Sequence, residues 1–193
     1  ATIVSAADAG YFDLLKGLVC SIRDKPEGAD IALSILDVGL DSSQRHWLAE
    51  QGATIAEPGW DFDIPAAMNA PAHFRALLAR PFLPRYFPGH DTYLHIDSDA
   101  WVQDWSAIEI YLSAAKDGLL AITPQIDRSY NTIYKRPRRY RRTQNYKSFK
   151  WSYGLLTADR LARNPILNCG VFALPANGVH WDLWAKAIEC ALN

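Results

Sequence analysis

The apolar positions along the chain fall into short strand-like runs separated by stretches with helical spacing. Thr2 to Ser5 is a β-branched run ending in small residues, and Phe12, Leu15, Leu18, Val19 and Ile22 then recur at the spacing of a helix face. Ile31 to Leu36 predicts a second strand. Asp41, with Gln44 three residues on, predicts a capping box at a helix start, and Gly52 stops that helix before a short strand over 53–56. After a loop holding Trp60, Asp61 and Asp63, a helical stretch begins near Ala72 and is interrupted by Pro81 and Pro84. Thr92 to Asp97 predicts a strand. Asp104 caps a helix whose inner face is Ile108, Leu112 and Ala115 and which Gly118 ends. Leu119 to Thr123 and Cys169 to Leu174 predict two more strands, and Trp181, Trp184 and Ile188 a closing helix. Between 128 and 163 the pattern is irregular. No internal repeat is visible.

Strands alternating with helices predict an α/β fold, a mostly parallel sheet flanked by helices on both faces, with 1–193 as a single domain. The region 128–163, basic and aromatic, stands out because long stretches without periodicity inside a compact domain usually carry function. Composition changes the picture there. Of 20 Lys and Arg, eight lie between Lys135 and Lys150 with no acid among them, which leaves 12 facing the 21 Asp and Glu of the rest. The formal net charge of −1 is thus a cancellation. Three scattered cysteines, Cys20, Cys169 and Cys190, predict neither a disulfide framework nor zinc, and a reducing, cytoplasmic setting follows. No apolar run reaches the ~18 residues of a membrane span. The chain begins at Ala1 without a signal-like segment, so a piece cut from a longer protein is one expectation.

The candidate chemistry begins at Tyr93-Leu94-His95-Ile96-Asp97-Ser98-Asp99, where an apolar strand runs into two aspartates. Ligands of open α/β sheets bind at the carboxyl ends of strands. Two carboxylates one residue apart can turn to one hard cation, Mg²⁺ or Mn²⁺, that also takes phosphate oxygens. The same three residues also read as a solvated turn. At the end of the first strand, the small residues Ser5, Ala6 and Ala7 leave room for a flat base, Asp8 can accept a hydrogen bond from it, and Tyr11 can stack on it; a plain helix N-cap explains Asp8 equally well. At the start of the last strand, Asn168-Cys169-Gly170 pairs an amide with a glycine that lets a ligand come close. His95, two residues before Asp97, shares its side of the strand and reads first as a hydrogen-bonded core histidine.

Thr2-Ile3-Val4-Ser5 with Asp8 and Tyr11, then Tyr93 to Asp99, then Asn168-Cys169-Gly170-Val171-Phe172 together resemble the landmarks of GT-A-fold glycosyltransferases, above all glycosyltransferase family 8, the glycogenin and bacterial galactosyltransferase group. The resemblance implies the GT-A (nucleotide-diphospho-sugar transferase) fold and transfer of a hexose from a nucleotide-diphosphate sugar, with retention, a UDP-sugar being the expected donor. It places Ser5, Ala6, Ala7, Asp8 and Tyr11 around the base, Ser98 near the ribose, and Mn²⁺ (or Mg²⁺) on Asp97 and Asp99. It also places Arg80, with Arg75 as second choice, near the phosphates or donor sugar, and Asn168, Cys169 and Gly170 at the donor sugar. Cys169 replaces the family's Ala or Ser. The family's late metal-binding histidine has no counterpart, since His180 does not match it, and its acidic-plus-glutamine segment is absent; a segment beyond Asn193 is one expectation. An inverting member would need a base, for which Asp127 is the candidate.

The basic segment fits an anionic, glycan or lipid-linked acceptor, with Arg138, Arg139 and Tyr140 as contacts and Tyr130, Tyr134, Tyr146, Phe149, Trp151 and Tyr153 interleaved. Peripheral membrane contact through it is a further expectation, and a solvated loop the plain one. Three other readings compete. A nucleic-acid module would use the same segment, but leaves Asp97 and Asp99 unexplained. A nucleotidyltransferase needs a Gly-rich loop that Ala6-Ala7-Asp8-Ala9-Gly10 does not supply. The last is a nucleotide-sugar binding domain without activity.

Overall fold

A computed structural model describes residues 1–64, 69–126 and 137–192, with backbone alone for 137–139. Six strands form one sheet: β1 (Thr2–Ala7), β2 (Ala32–Asp37), β3 (Ala53–Ala56), β4 (Thr92–Ile96), β5 (Ala121–Pro124) and β6 (Leu167–Pro175), in the order β3-β2-β1-β4-β6-β5. The first four strands are parallel, while β6 runs antiparallel to both β4 and β5. Helices α1 (Phe12–Arg23), α2 (Ser42–Glu50), α3 (Phe74–Ala79), α4 (Leu83–Tyr86), α5 (Trp105–Lys116), α6 (Gln144–Leu161) and α7 (His180–Leu192) connect or flank them.

The strand period of two divides the core. Ile3, Leu33, Ile35, Leu94 and Ile96 face α1, α2 and α5, packing on Leu15, Leu48 and Ile108. Val4, Leu36, Tyr93, Phe172 and Leu174 face the other way, onto Ala79, Leu83, Phe87 and Trp181. Because β1, β2 and β4 are covered on both sides, their sequences are near-continuous apolar runs rather than alternating ones.

Local signals in the sequence account for several boundaries. Asp41 accepts from Gln44 N, and the Gln44 side chain accepts from Asp41 N, closing the capping box. Asp104 caps α5 through Ser106 N. Hydrogen bonds from Ser43 and Gln44 hold the Asp41 carboxyl below the usual aspartate range. A depressed folded-state value contributes stability that is present above the unfolded value and lost as pH falls through the folded one. Asp41→Ala is therefore expected to lower the thermal midpoint at neutral pH, with the gap to the parent closing in acid, as a pH series of melting curves would show.

Two elements differ from the sequence expectation. Leu119 lies outside β5 and is exposed, because the turn at Gly118 delays the strand to Ala121. Residues 144–161, expected to be irregular, form helix α6. It merges two helical pieces across Gly154, whose φ of +83° no helix contains, and this break hides the periodicity.

Candidate functional site

Antiparallel β6 brings its start to the edge where parallel β1, β2 and β4 end. Ile96 pairs with Val171, and one step further the Asp97 N–H donates to the Gly170 carbonyl at 2.7 Å. The segments after β1 and β2 are tied together at the same edge. Asp37 Oδ1 accepts from Gly39 N at 2.9 Å and Leu40 N at 2.7 Å, and Ala9 N donates to Gly39 O at 3.0 Å. A cleft of about 260 Å³ opens there, lined by Ala6, Ala7, Asp8 and Tyr11 after β1, Val38 after β2, Asp97, Ser98 and Asp99 after β4, and His73, Ala76, Leu77 and Arg80 along α3.

Arg80 and Asp97 form the centre of this edge. Arg80 is 7% exposed. Its Nη2 donates to Asp97 Oδ1 at 2.6 Å, and its Nη1 donates to the Cys169 carbonyl at 3.1 Å and contacts Sγ at 3.4 Å. Its buried Nε–H has no hydrogen-bond partner among the described residues. Burial pushes the Asp97 carboxyl up from the usual range, against the pull of Arg80, and the like charge of Asp99 adds to the rise. His95 lies beneath, fully buried, stacked on Phe172 at 5.2 Å between centroids, with Nδ1 3.9 Å from Asp97 Oδ1. Burial first, and then the Arg80 charge, drive its pKa well below the usual histidine value, so it stays neutral beside the pair.

Gly170 is a position where a side chain would have to move its neighbours. A Cβ there would stand 2.8 Å from Asp97 Oδ2 and 3.0 Å from Asn168 Oδ1, which itself accepts from Gly170 N. Gly170→Ala is expected to push the Asp97 carboxylate aside and to cost up to about 1 kcal/mol, since both atoms in its way are the ends of side chains. Urea unfolding reads this, and an unchanged midpoint would remove the steric argument.

The sequence-predicted residues fall into three groups. Ala6, Ala7, Asp8, Tyr11, Arg80, Asp97, Ser98 and Asp99 meet in the cleft lining. Asp8 also caps the short helix after β1, accepting from Tyr11 N at 3.0 Å, as the N-cap reading expects. Asn168, Cys169 and Gly170 are outside the lining; Cys169 accepts from Arg80, Gly170 accepts from Asp97 N, and Asn168 braces Gly170. The third group lies elsewhere. Ser5, on the β1 side shared with Ile3 and Ala7, is buried and outside the lining. Arg75 is spent on Glu57 at 3.2 Å and the Pro58 carbonyl at 3.1 Å.

Tyr140 is buried, its hydroxyl bonded to Asp159 at 2.6 Å and its ring packed edge-on against Tyr146, so it does not offer a face to an acceptor. The side chains of Arg138 and Arg139, with Asp127, Tyr130 and Tyr134, lie outside the described residues. His73, Ala76 and Leu77 join the lining without having been singled out. Their spacing with Arg80, i, i+3, i+4 and i+7, is the signal that finds them.

Among the described residues no group of three His, Cys, Asp or Glu side chains is placed to hold a metal ion. The two carboxylates that share the cleft suit a hard cation whose remaining ligands are water and phosphate oxygens, the usual habit of Mg²⁺.

No protein-family model and no curated protein matches the sequence. Solved structures do match the fold. Galactosyltransferase LgtC, in complex with donor and acceptor sugar analogues, is 17% identical with a TM-score of 0.59, over 100% of this chain and 69% of that one. The bifunctional glycosyltransferase WbbM is 14% identical with a TM-score of 0.61, over 98% of this chain and 34% of that one. Core-mannan synthase A (CmsA/Ktr4) of Aspergillus fumigatus, in its Mn/GDP form, is 9% identical with a TM-score of 0.53, over 99% of this chain and 65% of that one. The six-stranded sheet, parallel except for β6, is the GT-A fold of glycosyltransferases.

Proposed function

We propose that this chain is a glycosyltransferase domain that moves a hexose from a nucleoside diphosphate sugar, UDP being the expected nucleotide, to a glycan or lipid-linked acceptor with retention of configuration. The observation that carries the reading is the cleft at the carboxyl edge of the sheet. Two carboxylates, Asp97 and Asp99, share it with a buried arginine whose Nε–H has no partner among the described residues. That combination of an anion-seeking donor and two cation-seeking acceptors suits a metal diphosphate better than either ligand alone.

Departure of a nucleoside diphosphate builds negative charge on the oxygen that bridged it to the sugar. Asp97 and Asp99 would hold a divalent cation, which would supply Lewis-acid stabilisation of that charge. Arg80 fixes Asp97 through the 2.6 Å bond and adds a permanent positive charge at the same edge. His95, neutral, leaves that balance undisturbed. Tyr11, 55% exposed at the rim, offers a ring for base stacking, and Ala6 and Ala7 leave space beside it. Retention calls for no protein base, since the departing phosphate accepts the proton of the acceptor hydroxyl.

The test is release of UDP from UDP-hexoses, with and without an acceptor, in Mn²⁺ and after chelation. Turnover that disappears with the chelator and returns with Mn²⁺ is the expected result. Binding of UDP-sugars without any release would reduce the function to nucleotide-sugar binding, and no binding of any nucleotide-sugar would remove the proposal.

A further inference from the structure

We propose that the outer side of α6 docks on an anionic lipid surface. The inner side of this helix is accounted for. Tyr146 and Ala158 are buried in a small cluster with Tyr140 and Ala162, and Phe149 packs against it. The exposed side chains are of two kinds. Lys147 and Trp151, i and i+4, share the side away from that cluster, Lys150, four residues after Tyr146, flanks it, and all three are exposed. Past the break at Gly154 come Leu155 and Leu156. Trp151 is 88%, Leu155 57% and Leu156 89% exposed, so three large apolar side chains stand in water within six residues.

Charge singles out the occupant. From 128 to 158 the sequence has no Asp or Glu, and Arg142, Lys147 and Lys150 are exposed. Arg141 pairs with Asp159 at 3.0 Å, and among the described residues Arg142, Lys147 and Lys150 form no ion pair. A tryptophan and leucines flanked by lysines match an interface of acyl chains under anionic headgroups. A glycan suits the group less well, because leucines have no ring face for a sugar and Tyr140 and Tyr146 are turned inward. A second copy meeting this patch through the same patch would set these lysines against their own kind. No described helix is long and apolar enough to cross a membrane, so the contact is a surface one. The inference does not depend on glycosyl transfer, and neither nucleotide nor metal enters its test.

The full chain is sedimented with vesicles of phosphatidylcholine alone and with vesicles of equal parts phosphatidylcholine and phosphatidylglycerol. Binding to the anionic vesicles only, weakened by added salt, is expected. Lys147→Glu/Lys150→Glu and, separately, Trp151→Ser/Leu155→Ser/Leu156→Ser are each expected to weaken it by about tenfold or more, with far-ultraviolet circular dichroism unchanged because all five side chains are exposed. Failure of the parent to bind anionic vesicles overturns the proposal. So does full binding by the apolar variant, which would make the attraction one of charge alone and leave an oligonucleotide as good a ligand. Concentration-dependent self-association abolished by the apolar variant, without vesicle binding, would overturn it in favour of a second copy.

Discussion

Asp97→Asn is expected to lower UDP-sugar turnover by about a hundredfold or more, the usual scale for losing a group that stabilises transition-state charge, while leaving the thermal midpoint close to that of the parent. The two halves of this expectation have separate causes. Turnover depends on the carboxylate charge, which Asn lacks. Folding does not, because burial and Asp99 already penalise the ionised form of Asp97, and the Asn carbonyl can still accept the bond from Arg80. Asp99→Asn has no such bond to preserve and is expected to lose turnover in the same way. Steady-state UDP release and a melting curve on each variant suffice as measurements. Parent-like turnover in both variants would end the role of the pair, and a collapse of the midpoint in Asp97→Asn would make its effect on turnover uninterpretable as chemistry.

How much of this site is legible in the sequence depends on how far apart its parts lie along the chain. The capping box of Asp41 and Gln44, the cap at Asp104 and the strand leading into Asp97 are local, so periodicity and cap residues reveal them. The alternation of one strand also places His95 beneath Asp97. By contrast, nothing local announces that β6 runs backwards. Yet that reversal brings Gly170 to Asp97 and Cys169 to Arg80, and only the order of motifs in a known fold points there. The inward turn of Tyr140 and Tyr146 is likewise tertiary. Their aromatic character is equally compatible with stacking on a sugar and with packing against Ala158, and the packing wins. Ser5 shows the limit of proximity in sequence. It stands three residues from Asp8, but it lies within β1, where both faces of the sheet are covered, whereas the cleft opens only at the strand's end.

Arg80→Met tests the other half of the central pair, and its expected effect on stability is the larger one. Met approximates the length of the side chain but supplies no donor, so Asp97 Oδ1 and the Cys169 carbonyl each lose a bond. Removing one member of a fully buried ion pair costs about 3–5 kcal/mol. Asp97 keeps 40% of its side chain exposed, and water there compensates part of the loss, which brings the expectation to about 2 kcal/mol. The dependence on pH distinguishes this from lost packing. Arg80 is the influence that holds the Asp97 carboxyl down, so without it the folded-state value rises further above the unfolded one. A raised value means stability that is full below the unfolded value, about 4, and is lost as pH rises through the folded one. The variant should therefore stand nearest the parent in acid and fall away toward neutral pH. Adding Asp97→Asn removes the charge at fault and should restore much of the neutral-pH stability, whereas a packing defect would persist unchanged in the double variant at every pH.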